Sequence, residues 1–297
     1  MATTRLTRLL AASIAAVLIS VSASFAQAPA PAQGQTFEPR VGQEGKDVIW
    51  VPTPQELVDR MLDMAKVTPK DFVMDLGSGD GRTVITAARR GATAEGIEYN
   101  PDMVALSQKN AAAAGVTAKA SFRKADLFQT DLSRATVITM FLLPHINLKL
   151  RPTLLNLKPG TRVVSNTFTM DDWTPDETAM LEGDCTAWCT AHLWIVPAKV
   201  DGTWMLGGKR LTLNQQFQML TGSIREGSTD TMIKGKVLGD TVTFSAAGVE
   251  YKGKVNGRRM QGTMASGAAW TATRPVAAAA APAAAAPKGG SAAAPGR

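Results

Sequence analysis

From Val51 to about Ile195 the chain alternates runs of helical and strand periodicity, the pattern of βαβ units built around a parallel sheet. Thr53-Pro54-Gln55-Glu56 predicts a helix start, with Thr53 as N-cap, Pro54 at the first helical position and Glu56 closing a capping box. Leu57, Met61 and Met64 continue it at helical spacing. Phe72-Val73-Met74 reads as a short buried strand entering a glycine turn, Thr83 to Arg90 as the helix after it, and Thr93 to Ile97 as a second strand. Asn100-Pro101-Asp102 places a cap, a proline and an acid in the order a helix start prefers, and that helix runs through Ala114 to stop at Gly115. Further strands are expected at Ala118–Phe122, Thr136–Phe141 and Arg162–Asn166, with a helix near Ile146–Leu157 that Pro152 interrupts.

After Val200 the pattern becomes short alternating runs broken by Gly/Asp and Asn-Gly turns, such as Leu238-Gly239-Asp240 and Val255-Asn256-Gly257. Strands at this spacing predict an antiparallel meander, closed or nearly closed as a small barrel, whose core is Trp204, Phe217, Phe244, Tyr251 and Trp270. The fold class is α/β, a Rossmann-like doubly wound sheet followed by a small antiparallel β-meander or barrel.

Arg5 and Arg8, the apolar run Leu9–Val21 and Ser24-Phe25-Ala26 have the order of a secretory signal. The run is shorter than the roughly 20 residues a spanning helix needs, so no membrane-spanning segment is expected once it is removed. The expected organisation is a signal over residues 1–26, a linker over 27–49, the α/β domain over 50–199, the barrel over 200–275 and an Ala/Pro-rich disordered tail over 276–297. The expected destination is the periplasm or the exterior, with the protein anchored in the membrane if the signal stays uncleaved. The formal charge of +7, two of it from Arg5 and Arg8, is too weak and too scattered to argue nucleic-acid binding. Two cysteines and two histidines supply no zinc cluster, and no metal is expected. Cys185 and Cys189 lie four apart, a spacing that permits a bridge in a helix, but the flanking Trp188, Leu193 and Ile195 favour a strand, in which they lie beyond disulfide reach; export permits a disulfide without requiring one.

The chemistry sits in Val73-Met74-Asp75-Leu76-Gly77-Ser78-Gly79-Asp80-Gly81-Arg82, with Glu98 at the end of the next strand. A strand, a glycine turn, a helix and an acid about 20 residues on form a nucleoside-binding half of a doubly wound sheet. A dinucleotide fingerprint needs a glycine where this chain has Arg82 and has no use for Asp75, so both departures count against NAD.

Asp-x-Gly-x-Gly-x-Gly with an acidic strand end instead resembles the class I methyltransferases, whose cofactor is S-adenosyl-L-methionine. The resemblance implies that Asp75 and the Gly77-Ser78-Gly79-Asp80-Gly81 turn hold the methionine end. It further implies that Glu98 binds the ribose and that Asp126, with Leu127 beside it, meets the adenine. Trp50-Val51-Pro52-Thr53-Pro54, Asp75 to Arg82, Gly96-Ile97-Glu98-Tyr99-Asn100-Pro101, Ala125-Asp126-Leu127-Phe128, Phe141-Leu142-Leu143-Pro144 and Phe168 to Asp176, with Trp173-Thr174-Pro175-Asp176, are similar to the protein-lysine methyltransferases of the ATP synthase c-subunit and the adenine nucleotide carrier. Those proteins carry Gly-Val-Pro where this chain has Leu-Leu-Pro, and they lack the C-terminal barrel.

The resemblance implies a protein substrate, with a lysine acceptor placed over Phe141–His145 and candidate catalytic positions at Pro144, His145 and Asn166. His145 reads either as a base or as an ordinary helix-start residue, and Asn166 either as an acceptor-orienting group or as a loop cap. Export sets the cofactor against its supply, since S-adenosyl-L-methionine is made in the cytoplasm. The competing reading is therefore an exported, non-catalytic protein that binds a nucleoside or a partner.

Overall fold

The computed structural model describes residues 37–46, 49–183 and 185–275. The expected signal, the first part of the expected linker and the C-terminal tail lie outside them. The described residues fall within one compact unit. Among the described residues no helix is long and apolar enough to cross a membrane.

The first half is a seven-stranded sheet with β1 at Phe72–Leu76, β2 at Thr93–Glu98, β3 at Ala120–Lys124, β4 at Val137–Met140, β5 at Arg162–Asn166, β6 at Glu177–Met180 and β7 at Thr190–Ile195. Its order is β3-β2-β1-β4-β5-β7-β6, parallel from β3 through β5 and antiparallel where β7 joins β5 and β6. The helices α1 at Gln55–Met64, α2 at Arg82–Arg89 and α3 at Pro101–Ala113 contribute to the core on one face. On the other face lie α4, at Pro144–Leu154, and the buried pair Trp173 and Trp194.

Asn100 caps α3 as expected, its side chain accepting from the backbone N–H groups of Asp102 and Met103. Thr53 does not cap α1. Its hydroxyl accepts instead from Asn166 at 3.2 Å, and its carbonyl accepts from Arg82 at 2.8 Å, so long-range partners displace the capping box. The third strand lies two residues further on than its sequence pattern places it. The α4 helix starts earlier than expected and continues through Pro152. A proline removes one intrahelical bond, but this one lies two residues from the helix end, and Leu150 and Leu154 anchor that turn in the core. Part of the expected linker is also ordered: Trp50 N–H bonds to Gln43 O and Gly42 N–H to Trp50 O, both at 2.9 Å.

The second half is a closed barrel of eight antiparallel strands: β8 at Gly202–Leu206, β9 at Lys209–Gln216, β10 at Met219–Glu226, β11 at Thr229–Leu238, β12 at Thr241–Ala246, β13 at Val249–Asn256, β14 at Arg259–Met264 and β15 at Ala269–Thr273. Trp204, Phe244 and Trp270 fill its interior, and Tyr251 stacks on Phe244 at 4.7 Å.

Phe217 is not part of that core. It sits in the β9–β10 turn and stacks on Trp173 of the sheet domain at 6.0 Å, with the Arg151 guanidinium over its ring. Beside it, Gln218 donates to the carbonyl of Thr174 at 2.7 Å, and Ala198 N–H bonds to Gly239 O at 2.8 Å. The barrel thus lends an aromatic side chain to the core of the sheet. Phe217→Ala should lower the unfolding free energy of the whole chain by about 1–2 kcal/mol, through lost apolar burial and lost stacking. Urea unfolding followed by tryptophan fluorescence checks this; unchanged stability would mean that the contact carries no energy.

Candidate functional site

The carboxyl ends of β1, β2 and β4 open onto one cavity. Its floor is the turn between β1 and α2, where Gly77, Gly79 and Gly81 have φ of 77°, 53° and 85°. Side chains rarely adopt that left-handed backbone, so the turn requires glycine. A Cβ on Gly79 would come within 2.6 Å of the Trp50 indole nitrogen, so this glycine also admits the N-terminal segment to the cavity wall.

Asp75 ends β1 almost fully buried, directly opposite Thr139 in the β1–β4 register. The Thr139 hydroxyl donates to its Oδ1 at 2.6 Å. Burial pushes the Asp75 carboxyl up to about 7, against the hydrogen bonds from Thr139 and Thr83 that favour the ionised form. Glu98, at the end of β2, accepts from Gly79 N–H at 3.0 Å through one oxygen and from Tyr99 and Asn100 N–H at 2.8 and 2.9 Å through the other. The acid expected to serve a ligand therefore also fixes the glycine turn. Asp126 accepts from Phe128 N–H at 2.9 Å and pairs with Lys46 at 2.7 Å. The Lys46 hydrogen bond holds its carboxyl below the usual range. Ser78 lines the cavity too, and its buried hydroxyl has no partner among the described residues.

This set suits a ligand that brings hydroxyls and positive charge. Five acidic residues, Glu44, Asp75, Asp80, Glu98 and Asp126, line the cavity, whereas Arg82 beside the turn is tied to Asp80 at 2.6 Å and to the carbonyl of Thr53. Among the described residues, the arginine at the turn is thus already engaged and not held ready for a pyrophosphate.

Asp75, Gly77, Ser78, Gly79, Glu98, Asp126 and Leu127 all line the cavity. Gly81 does not: it starts α2 and packs against Phe122 and Ser107. Pro144 and His145 occupy the exposed first turn of α4, off the cavity wall, so the geometry supports the helix-start reading of His145. Asn166 is fully buried and also off the wall; it ties β5 to Thr53 and accepts from the Thr167 hydroxyl at 2.8 Å. Trp173 is a core residue whose carbonyl accepts from the Trp194 indole.

Several wall residues are not among the expected sites. Lys46 and Ile49 come from the expected linker, Trp50 opens the expected α/β domain, and Phe168 and Trp188 come from the loops after β5 and before β7. In the sequence, only the resemblance over Trp50-Val51-Pro52 and over Phe168 to Asp176 marks any of these. The second loop also corrects the reading of the cysteines. Cys185 and Cys189 lie outside any strand and are joined by a disulfide, with 5.9 Å between their Cα atoms, because the chain turns at Trp188 with φ 60°.

The ANTKMT methyltransferase domain profile matches residues 75–177. A protein-lysine N-methyltransferase of Saccharolobus islandicus is 45% identical over 152 residues, which span 50% of this chain and 94% of that protein. The mouse lysine N-methyltransferase of the ATP synthase c-subunit is 36% identical over 140 residues, and the match covers 47% of this chain and 56% of the mouse protein. A solved structure from Salinibacter ruber, described as an RNA methyltransferase with S-adenosyl-L-homocysteine, is 52% identical across 50% of this chain and 96% of its own, with a TM-score of 0.48.

The raised carboxyl of Asp75 has a consequence for stability. Between the ordinary aspartate value near 3.8 and about 7 the folded state holds a proton that the unfolded state has lost, so stability falls as pH rises through this window. Asp75→Asn should remove that slope and stabilise the ligand-free protein at pH 8 by on the order of a few kcal/mol. Thermal unfolding of both proteins from pH 4.5 to 8 measures it; parallel curves would show that Asp75 titrates normally.

Proposed function

The chain belongs to the methyltransferase family represented by the archaeal protein-lysine N-methyltransferase and the enzymes of the ATP synthase c-subunit, and we propose that it methylates lysine side chains of protein, using S-adenosyl-L-methionine. The observation that carries this reading is the division of the cavity into two halves. Asp75, Glu98 and Asp126 line the half over β1 and β2 together with the glycine turn. Met140, Phe141, Leu142, Leu143, Ile146, Phe168 and Trp188 line the other half and carry no charge.

The cofactor, when bound, supplies a methyl group made electrophilic by an adjacent sulfonium. Asp75 is placed to accept from an amino group at the methionine end, and ionises fully once that positive charge compensates its burial. Glu98 meets the ribose hydroxyls in a fixed orientation, since three backbone N–H groups hold its carboxylate. Asp126 and Leu127 border the adenine end. On the acceptor side an amine must approach in line with the methyl group and without its proton. Leu142, Leu143 and Ile146 surround it with apolar atoms, which lowers an amine pKa and favours the neutral form. Desolvation and proximity then supply the catalysis, and a dedicated base is not required.

Two features support export. Residues 1–26 have the order of a secretory signal, and the Cys185–Cys189 bridge is the chemistry of an oxidising compartment. Mass spectrometry of the cell-envelope fraction should find a chain beginning at Gln27, with the 185–189 segment carrying no free thiol; a full-length, reduced protein in the cytoplasm would refute export.

Calorimetric titration with S-adenosyl-L-methionine tests the cofactor. Glu98→Gln keeps the shape but removes the charge, and should weaken binding by roughly tenfold; absence of binding to the natural chain would sink the enzyme reading. Leu143→Asp should slow methyl transfer by stabilising the protonated amine, with cofactor affinity nearly unchanged. Radiolabelled methyl transfer to envelope proteins, followed by mapping of the label, checks the acceptor: label on lipid or small molecules and none on lysine contradicts it.

A further inference from the structure

We propose that Trp188 is a specificity-determining residue for the acceptor: with Phe141 and Phe168 it forms an aromatic wall at the outer edge of the cavity that receives an alkylammonium group. The proposal rests on the lysine methyltransferase reading above and specifies how that site recognises its substrate.

The three rings are mutual neighbours. Phe141 and Phe168 stack at 6.1 Å, and the Trp188 ring lies 5.6 Å from each, tilted by 58° and 50°. All three line the cavity on its uncharged side. Among the described residues on that side of the wall, Met140, Phe141, Leu142, Leu143, Ile146, Phe168 and Trp188, none is a carboxylate, so the negative faces of the rings are electrostatic partners for a cation entering there, effective within about 6 Å of a ring centre. The same rings cover the aliphatic stem of a lysine side chain.

Depth orders the two tasks. Leu142 packs against the glycine turn, at the buried end beside the cofactor site, whereas Trp188 is 40% exposed. The wall therefore meets the charged ammonium first, and the apolar floor beyond it strips the water and favours loss of the proton. A residue with this placement acts on capture of the acceptor more than on the methyl transfer itself.

The wall is also held in place. Phe168 O accepts from Ser165 Oγ at 2.7 Å and from the fully buried Asn147 at 3.2 Å. Its neighbour Thr167 sits at φ 60°, its carbonyl accepting from His192 Nε2 at 3.1 Å. Burial lowers the His192 pKa, consistent with a neutral ring that donates through Nε2. Trp188 has φ 60° as well, inside the five-residue loop closed by Cys185 and Cys189. Unfavourable backbone at two non-glycine residues, one bearing a wall ring and one adjoining the other, is the kind of cost that functional sites carry. A large, half-exposed indole fixed by a covalent loop is not needed for core packing.

The test uses the full chain saturated with S-adenosyl-L-homocysteine and titrated, by NMR, with Nα-acetyl-Nε-trimethyllysine amide and with its neutral isostere, in which carbon replaces the quaternary nitrogen. The cation should bind roughly two- to fivefold more tightly than the isostere. Trp188→Ala should abolish that preference, Trp188→Phe should retain most of it, and the double variant Cys185→Ser/Cys189→Ser should reduce it. S-adenosyl-L-homocysteine affinity should be the same in all of them, which also reports that they are folded. In turnover, Trp188→Ala should raise KM for a lysine acceptor with little change in kcat. Equal binding of cation and isostere, or a preference that survives in Trp188→Ala, overturns the proposal while leaving the function intact. Failure of the natural chain to bind S-adenosyl-L-homocysteine overturns the underlying function, and the proposal with it.

Discussion

The turn between β1 and α2 exists only because Glu98 and Ile97 of the neighbouring strand hold it. Ile97 O accepts from both Gly77 and Ser78, and Glu98 accepts from Gly79, so three successive amides of a left-handed turn are tied to the end of β2. The parallel register that brings Leu76 beside Ile97 makes these bonds possible. Much of the cavity follows from the turn. It sets the floor, starts α2, leaves room at Gly79 for the Trp50 indole, and brings Leu142 against Gly77 from across the sheet. The same sheet sets Asp75 opposite Thr139, so a carboxyl that burial alone would leave protonated retains a hydrogen bond favouring its ionised form.

The parts of the site legible in the sequence are those whose geometry is local. An acid two residues before a glycine turn, and another at the next strand end, are spacings along one βαβ unit, and the Asn100 cap bonds within three residues. What the sequence hides is decided by contacts between distant residues. Thr53 carries a valid capping signal, but Asn166, 113 positions away, takes its hydroxyl. Phe217 belongs to an alternating run like its neighbours, and only the closure of the barrel against the sheet shows that it packs on Trp173. The apolar neighbours of the cysteines signal a strand, while a single positive φ at Trp188 turns the chain back on itself. Lys46 and Ile49 lie in a stretch with no periodicity at all, and they reach the cavity through the short hairpin that ends at Trp50.

The barrel contributes packing to this arrangement. Its interior is occupied by Trp204, Phe244, Trp270 and the aliphatic residues around them, so the strands enclose side chains in the manner of small closed barrels. Its contact with the sheet domain runs through Phe217, Gln218 and Gly239, on the side of Trp173 and Trp194. Trp173 and Trp194 in turn lie behind α4 and β5, the elements that precede Phe168 and follow Leu143. The acceptor half of the cavity therefore shares its supporting core with the barrel, whereas the glycine turn and its acids rest on α2, α3 and the β1–β2 pair.

The uncharged half of the cavity also discriminates between acceptors by their acidity. A hydroxyl acceptor needs a base within hydrogen-bond reach to remove its proton during attack. Under the proposed reading the acceptor would face Met140, Phe141, Leu142, Leu143, Ile146, Phe168 and Trp188, none of which is such a group, and His145 stands off the cavity wall on the exposed turn of α4. An amine is different, because its proton is carried by the charged form, and transfer from water to apolar surroundings is itself enough to drive the proton off. Starting from an ordinary value near 10.4, a lysine needs a large downward shift to be neutral at physiological pH, and burial against hydrocarbon is the effect known to produce shifts of that size. The acids on the opposite wall work against this, since a carboxylate stabilises an ammonium. Two of these acids are already engaged within the protein, Glu98 by backbone amides and Asp126 by Lys46.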